Sequence, residues 1–270
     1  LDASDGERLE RWKDITLVRP DPQIIWHGRK VHKMWKNYSA RYHRSNKGGG
    51  SWEYRKKLPE SWTVNYKGLT FKVSPTGFKH TGLFPEQAVN WDWMSDLIKK
   101  AGRPVKVLNL FAYTGGATMA CAAAGAKVTH CDAAKGMVQW AKENRELCTL
   151  PEDSTRWIVD DAHKFMQREI RRSRRYDAII LDPPSFGRGA NGEMYKIERD
   201  LSQTLSLVKS LLSDNPLFVL FSSHTPGLSV HVAENIMTQL FPDAAISAGE
   251  MLLEGSSFLC PSGVYCRALF

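Results

Sequence analysis

VKVLNLFAYTGG, residues 105–116, decides how this chain of 270 residues folds. Its first seven positions are apolar except for Lys106 and Asn109, which predicts a buried strand over 105–111. A glycine-containing turn follows, then an Ala-rich helix ending at Gly125. Outward from this unit the rhythm repeats. A helix is predicted over 85–101, with Pro85 early, where its missing N–H costs little. Downstream come strand 126–132, helix 134–149, strand 156–161, helix 162–174, strand 176–182, helix 196–213, strand 217–223, helix 229–241 and two strands near 244–252 and 263–270. Apolar strands alternating with helices specify an α/β, doubly wound parallel sheet covered on both faces. Ligands in such sheets lie at the carboxyl ends of the strands.

Those ends carry the unusual residues. The turn Asn109-Leu110-Phe111-Ala112-Tyr113-Thr114-Gly115-Gly116 has a glycine pair that would let backbone approach a ligand. It is not GxGxxG: Ala112 and Thr114 stand where a pyrophosphate would require glycines. The turn suits a smaller, phosphate-free cofactor with an amino-acid tail. Asp132 ends the second strand, where a carboxylate would accept hydrogen bonds from ribose hydroxyls. Asp160-Asp161 ends the third, placed to read an adenine edge. A single strand-end Asp is more often a helix N-cap, but here three strand ends in order are acidic. The fourth strand ends in Asp182-Pro183-Pro184-Ser185-Phe186, whose prolines fix the chain as it leaves the sheet.

Together LNLFAYTGG, Asp132, Asp160-Asp161 and LDPPSF resemble the ribosomal-RNA large-subunit methyltransferases related to the 5-methylcytosine and guanine-N7 enzymes. The segment Lys79-His80-Thr81-Gly82-Leu83-Phe84-Pro85-Glu86-Gln87 is similar to the one preceding that family's catalytic domain. The resemblance covers roughly 79–225. It implies a class I methyltransferase Rossmann-like sheet of seven strands, the last antiparallel, with S-adenosylmethionine bound at these turns. The implied cofactor-binding positions are Thr81, Phe84, Gln87, Asn109, Phe111, Ala112, Tyr113, Thr114, Gly115, Asp132, Ala133, Asp160, Asp161, Ala162, Asp182 and Pro183; no metal is expected.

Pyrimidine C5 methylation needs a nucleophilic cysteine. The run after the fifth strand reads Phe221-Ser222-Ser223-His224, and no cysteine follows the DPP turn. A ring-nitrogen, exocyclic-amine or hydroxyl acceptor is therefore expected, needing only a proton-accepting neighbour. Asp182 is the first candidate and His224 the second. Ser185 occupies the aromatic position of the amine methyltransferase pattern (N/D)PP(Y/F), which leaves the acceptor atom open.

Residues 1–78 are read as a small basic β-rich domain and 79–270 as the cofactor-binding domain. The chain's net charge is +8, and residues 1–80 hold 17 Lys and Arg against 8 Asp and Glu. Trp12, Trp26, Trp35, Trp52 and Trp62 are there as well, and cations among aromatic rings suit RNA phosphates and bases. A Trp-rich core under a solvated basic face would give the same composition. Strands are predicted at 15–18, 23–26, 61–66 and 69–73, and a mobile basic loop at 41–50. The loop 187–200 is a candidate lid carrying Arg188, Tyr195 and Lys196, and the arginines of 168–175 read as a solvated helix face.

Five cysteines without a CxxC pair, a polar acidic start and no long apolar run predict a reduced, cytoplasmic protein without membrane span or zinc. RNA, with ribosomal RNA favoured, is the expected partner. The alternatives are a protein or small-molecule methyltransferase, a nucleotide-dependent oxidoreductase, and a non-catalytic RNA-binding scaffold.

Overall fold

A computed structural model describes residues 1–28, 30–45, 49–188, 194–256 and 258–270. The chain divides into two compact units, one of residues 1–85 with 252–261, the other of 86–251 with 262–270.

The first unit holds a five-stranded sheet of β1 (Asp2–Ser4), β2 (Glu7–Trp12), β3 (Ile15–Pro20), β4 (Ala40–Arg44) and β5 (Gly50–Tyr54), in that spatial order. A hairpin of β6 (Trp62–Tyr66) and β7 (Leu69–Val73) follows. Two-residue turns close two of the hairpins: Asp5-Gly6 and Lys67-Gly68 have φ of 54° and 73°, and 44° and 86°. Left-handed pairs of this kind match the twist of the strands they join.

Two expectations fail here. Residues 23–26 form no strand; a turn from Asp21 turns the chain so that Ile24 is buried while Ile25 is 81% exposed. The stretch beginning at Arg41 is not a loop, since residues 40–44 pair with 50–54; positions 46–48 lie outside the described residues. The unit also runs to Pro85 rather than ending at 78 and includes 252–261. There Leu253, Phe258 and Cys260 pack with Ala3, Ile24 and Trp26.

The five tryptophans serve the interior of this unit. None is exposed, and each indole N–H donates to the protein: Trp12 to Glu10, Trp26 to the Ala3 carbonyl, Trp35 to Asp2, Trp52 to the Thr76 carbonyl and Trp62 to the Trp12 carbonyl. Lys30 covers the Trp35 face at 4.6 Å and Arg55 the Tyr38 face at 3.9 Å. Rings whose N–H groups are satisfied within the unit serve as packing elements.

The second unit is the doubly wound sheet. Its strands are β8 (Lys106–Leu110), β9 (Lys127–Asp132), β10 (Thr155–Val159), β11 (Ala178–Leu181), then, after the short pair β12 (Phe186–Arg188) and β13 (Met194–Lys196), β14 (Phe218–Ser223), β15 (Ala245–Glu254) and β16 (Leu259–Leu269). The order is β10-β9-β8-β11-β14-β16-β15, with β16 antiparallel to β14. The helices are α1 (Ala88–Lys100), α2 (Gly116–Ala123), α3 (Lys135–Leu147), α4 (Ala162–Arg171), α5 (Ile197–Ser210) and α6 (Val230–Leu240).

Strand residues of one parity (Leu108, Leu110, Ile179, Leu181, Val219 and Phe221) pack in one cluster with Phe165 and Met166 of α4, Leu205 and Val208 of α5 and Met237 of α6. The opposite parity faces the other helices: Phe218 meets Trp93 of α1 edge-on at 5.0 Å, and Asn109 reaches Thr118 of α2. Each fully buried Leu, Ile or Phe side chain adds roughly 1.5–3 kcal/mol. The strand order reverses between β8 and β11, so the turns after these strands flank the switch point where such sheets bind ligands.

Candidate cofactor and acceptor site

The turn after β8 is held in an unusual backbone conformation. Phe111, Tyr113 and Gly115 have φ of 54°, 50° and 84°. For the two aromatic residues the left-handed region costs on the order of 1 kcal/mol or more each, a strain found where surrounding contacts over-determine the chain. Those contacts are visible: Ala112 N donates to Cys131 O at 3.1 Å, Gly115 N to Ala112 O at 3.0 Å, and Asn144 Nδ2 to Thr114 O at 2.9 Å. Beneath the turn, buried Asn109 donates to Thr118 Oγ1 at 3.0 Å, and that hydroxyl meets His130 Nδ1 at 2.9 Å. Burial pushes the pKa of His130 down to about 3, so this ring is a neutral hydrogen-bonding strut.

The glycine pair also serves packing. A Cβ on Gly116 would lie 2.6 Å from Trp91 Cζ2, and one on Gly115 3.1 Å from Ala141 Cβ. Both glycines admit neighbouring helices, and Gly115 supplies the positive φ that starts α2. Phe111 and Tyr113 of the same turn are half-buried.

Asp132, at the end of β9, accepts from Tyr113 N at 2.9 Å through Oδ2 and from Ala134 N at 2.8 Å through Oδ1. Burial holds its carboxyl above the usual range, and the two N–H groups oppose that shift. Each oxygen keeps a lone pair beyond these bonds, which is the acceptor set that a pair of donating vicinal hydroxyls requires. Ala133 beside it is exposed. At the end of β10, Asp160 forms an ion pair with Arg168 and accepts from Asp161 N at 2.9 Å. Asp161 caps α4 through Lys164 N at 2.9 Å, so the commoner role of a strand-end Asp holds there, with buried Ala162 opening the helix.

The second pole follows β11. Asp182 is partly exposed beside buried Pro183. Its Oδ2 accepts from Gln87 Nε2 at 3.0 Å, and its Oδ1 lies 3.5 Å from His224 Nδ1. On the other side of that ring Nε2 lies 3.3 Å from Glu86, which is buried. Burial alone would discharge His224, but the two carboxylates outweigh it and raise its pKa to about 10. At neutral pH His224 is therefore an imidazolium without a lone pair to accept a proton. Of the two acceptors read from the sequence, Asp182 keeps that capacity and His224 does not.

Gln87 was placed over the cofactor by resemblance. Here both hydrogens of its amide serve the protein, one on Asp182 and one on Ser222 Oγ at 2.9 Å. Its orientation is dictated from behind. Arg267 donates to Asn90 Oδ1 at 2.8 Å and to Val89 O at 3.0 Å, which turns Asn90 Nδ2 toward Gln87 Oε1 at 2.8 Å. The amide NH2 of Gln87 can then point only at Asp182 and Ser222. Glu86, Asn90, Ser222 and Arg267 were missed in the sequence. A charged residue inside the apolar last strand, and the i,i+3 spacing of Gln87 and Asn90, were the signals for two of them.

Thr81 and Phe84 belong to the first unit. Thr81 is buried with no hydrogen-bond partner for its hydroxyl among the described residues, and Phe84 packs against His80 at 5.1 Å. Tyr195 of the candidate lid packs on Phe111 at 5.4 Å. The centre of that loop, 189–193, and the Arg188 side chain lie outside the described residues.

A strand order reversing beside a phosphate-free turn, a ribose-type carboxylate on the next strand and an antiparallel strand near the sheet edge define a class I methyltransferase fold. The chain belongs to the S-adenosylmethionine-dependent methyltransferase family, whose model matches residues 34–249. Its cofactor is accordingly S-adenosylmethionine. It is 35% identical over 163 residues to a ribosomal RNA large subunit methyltransferase K/L of Shewanella sp. (strain ANA-3), a match covering 57% of this chain and 21% of the relative. The chain thus spans about a fifth of the length of that curated relative. The crystal structure of a SAM-dependent methyltransferase from Agrobacterium tumefaciens superposes with a TM-score of 0.95 at 35% identity, covering 100% of this chain and 89% of that one. TYW2 of M. jannaschii, solved in complex with AdoMet, shares the fold with a TM-score of 0.58 at 10% identity, covering 97% of this chain and 98% of that one.

Proposed function

We propose that this chain methylates RNA, with ribosomal RNA favoured, at a nitrogen or oxygen acceptor and without a cysteine nucleophile. The observation carrying the acceptor chemistry is the carboxylate of Asp182 at the switch point, oriented by Gln87 and flanked by His224. S-adenosylmethionine supplies an electrophilic methyl group when bound. The protein's work is to align an acceptor in line with that group and to take up its proton.

Asp132 would hold the ribose through the lone pairs its backbone donors leave, and Phe111 and Tyr113 would offer ring faces to the cationic sulfur. Asp182 would accept the proton or hydrogen-bond the acceptor group. His224, a cation beside it, would help Gln87 hold the Asp182 carboxylate in place. Ser222 and Ser223 occupy the end of β14, where a cysteine mechanism would need its nucleophile, and all five cysteines are buried.

RNA is favoured by the likeness to ribosomal RNA large subunit methyltransferases and by the cation excess of the first 80 residues. A cytoplasmic location accords with an RNA substrate; among the described residues no helix is long and apolar enough to cross a membrane. The test is transfer of labelled methyl groups from S-adenosylmethionine into unmodified ribosomal RNA. Incorporation by the wild type and its loss in Asp182→Asn is the expected result. Methylation of added protein but not of RNA would replace the substrate reading.

A further inference from the structure

The amino ends of the parallel strands, opposite the cofactor turns, open on a cleft of about 500 Å³. Lys106 begins β8, Lys127 begins β9 and Arg156 is the second residue of β10; Arg174 and Arg175 follow the end of α4. All five line the cleft, against one lining carboxylate, Asp153, which pairs with Lys127 at 2.6 Å.

The arginines are organised from below. Glu169 of α4 is fully buried and takes Arg156 at 3.1 Å, Arg172 at 3.7 Å, Arg174 at 3.9 Å and the Tyr176 hydroxyl at 2.6 Å. One buried carboxylate needs one cation for compensation; here three guanidiniums converge on it. Arg156 and Arg174 remain 37% and 55% exposed, so their outer donors face water. The sequence suggested only a solvated helix face for 168–175. A helix end is served by the cations of its own last turn, such as Arg171, whereas Lys106, Lys127 and Arg156 come from three strands. Five cations over two carboxylates around a concavity complement a chain of anions rather than a single one, and guanidiniums pre-positioned by a buried acid lose little freedom on binding phosphate.

We propose that this cleft is a second RNA-binding site, gripping phosphodiesters of the substrate at a distance from the target nucleotide. The inference rests on the RNA reading above. Five-residue strands separate the two ends of the sheet by roughly 16 Å, so a folded RNA can engage both.

The test compares wild type, the double variant Arg174→Glu/Arg175→Glu and the conservative Arg174→Lys/Arg175→Lys. Each is measured for filter binding of a labelled, unmodified large-subunit ribosomal RNA transcript across a salt series. S-adenosylmethionine titration of each protein runs in parallel. The expected result is binding at least about tenfold weaker at ~0.1 M salt for the glutamate pair, with a log–log salt slope shallower by roughly 1.5. The lysine pair, which keeps the charge but not the guanidinium fork, should lie between wild type and the glutamate pair, and cofactor affinity should be unchanged in all three. Unchanged affinity and slope in the glutamate pair while wild type binds RNA overturns the cleft and leaves the RNA reading standing. A lysine pair as weak as the glutamate pair also overturns it, because charge would not be the cause. Failure of wild type to bind the transcript removes the RNA reading and the cleft together.

Discussion

The two ends of the seven-stranded sheet are built on opposite plans. At the carboxyl ends, carboxylates are held by neutral or cationic donors: Asp132 by two backbone N–H groups, Asp182 by an amide and an imidazolium. At the amino ends, guanidiniums are held by a buried carboxylate. In both places the functional charge is fixed by a partner of lower or opposite charge set behind it, so its outer atoms face solvent already oriented. Anchored cations occur in the first unit too, where Lys30 and Arg41 converge on Glu7, and the difference there lies in the aromatic residues. Its basic and aromatic residues had the composition of an RNA surface, yet its five tryptophans are engaged with their own module.

Breaking the carboxyl-end plan should have the largest effect. Asp182→Asn keeps the size and removes the proton acceptor, so turnover should fall by about 10²–10⁴ with cofactor affinity retained; single-turnover methylation checks this. Arg267→Met should come next. It leaves the Val89 carbonyl and the Asn90 amide without their donor, costing about 2–4 kcal/mol in denaturant unfolding, and frees Gln87 to turn away from Asp182.

A smaller effect is set by pH. The folded pKa of His224, about 10, lies above that of a free imidazole. Its stabilisation is therefore complete below about pH 6.5 and is lost as pH rises toward 10. Stability of wild type should fall over this window by on the order of 1–2 kcal/mol, discounted for partial solvent exposure, and His224→Gln should flatten the curve. Smallest is Trp52→Phe, which removes the bond to the Thr76 carbonyl and should cost about 1 kcal/mol of stability without changing RNA affinity. A large loss of RNA binding there would restore the stacking reading of the first unit.

The sheet was legible because apolar strands and amphipathic helices alternate from 85 to 270, and periodicity is read locally. Asp132 and Asp182 were legible as candidates because the strand ends of a doubly wound sheet are where ligands bind. What escaped was set by contacts distant in sequence. Arg267 reaches Asn90 across the whole domain, Gly116 makes room for Trp91, and Glu86 matters because His224 lies against it. In the first unit the hairpin at Asp5-Gly6 had its turn signal in plain view, but a β1 of three residues gave no alternation to accompany it. His224 was legible from its position, but the acids that raise its pKa, Asp182 and Glu86, come from other elements.

The most direct measurement is calorimetric titration of S-adenosylmethionine into the wild type and into Asp132→Ala. The account predicts saturable one-site binding to the wild type and, in the variant, a loss of at least about a hundredfold, from two ribose hydrogen bonds and the turn they share with Tyr113 N. Equal affinity in the two proteins would contradict it, because the cofactor would then lie somewhere other than the turn after β8.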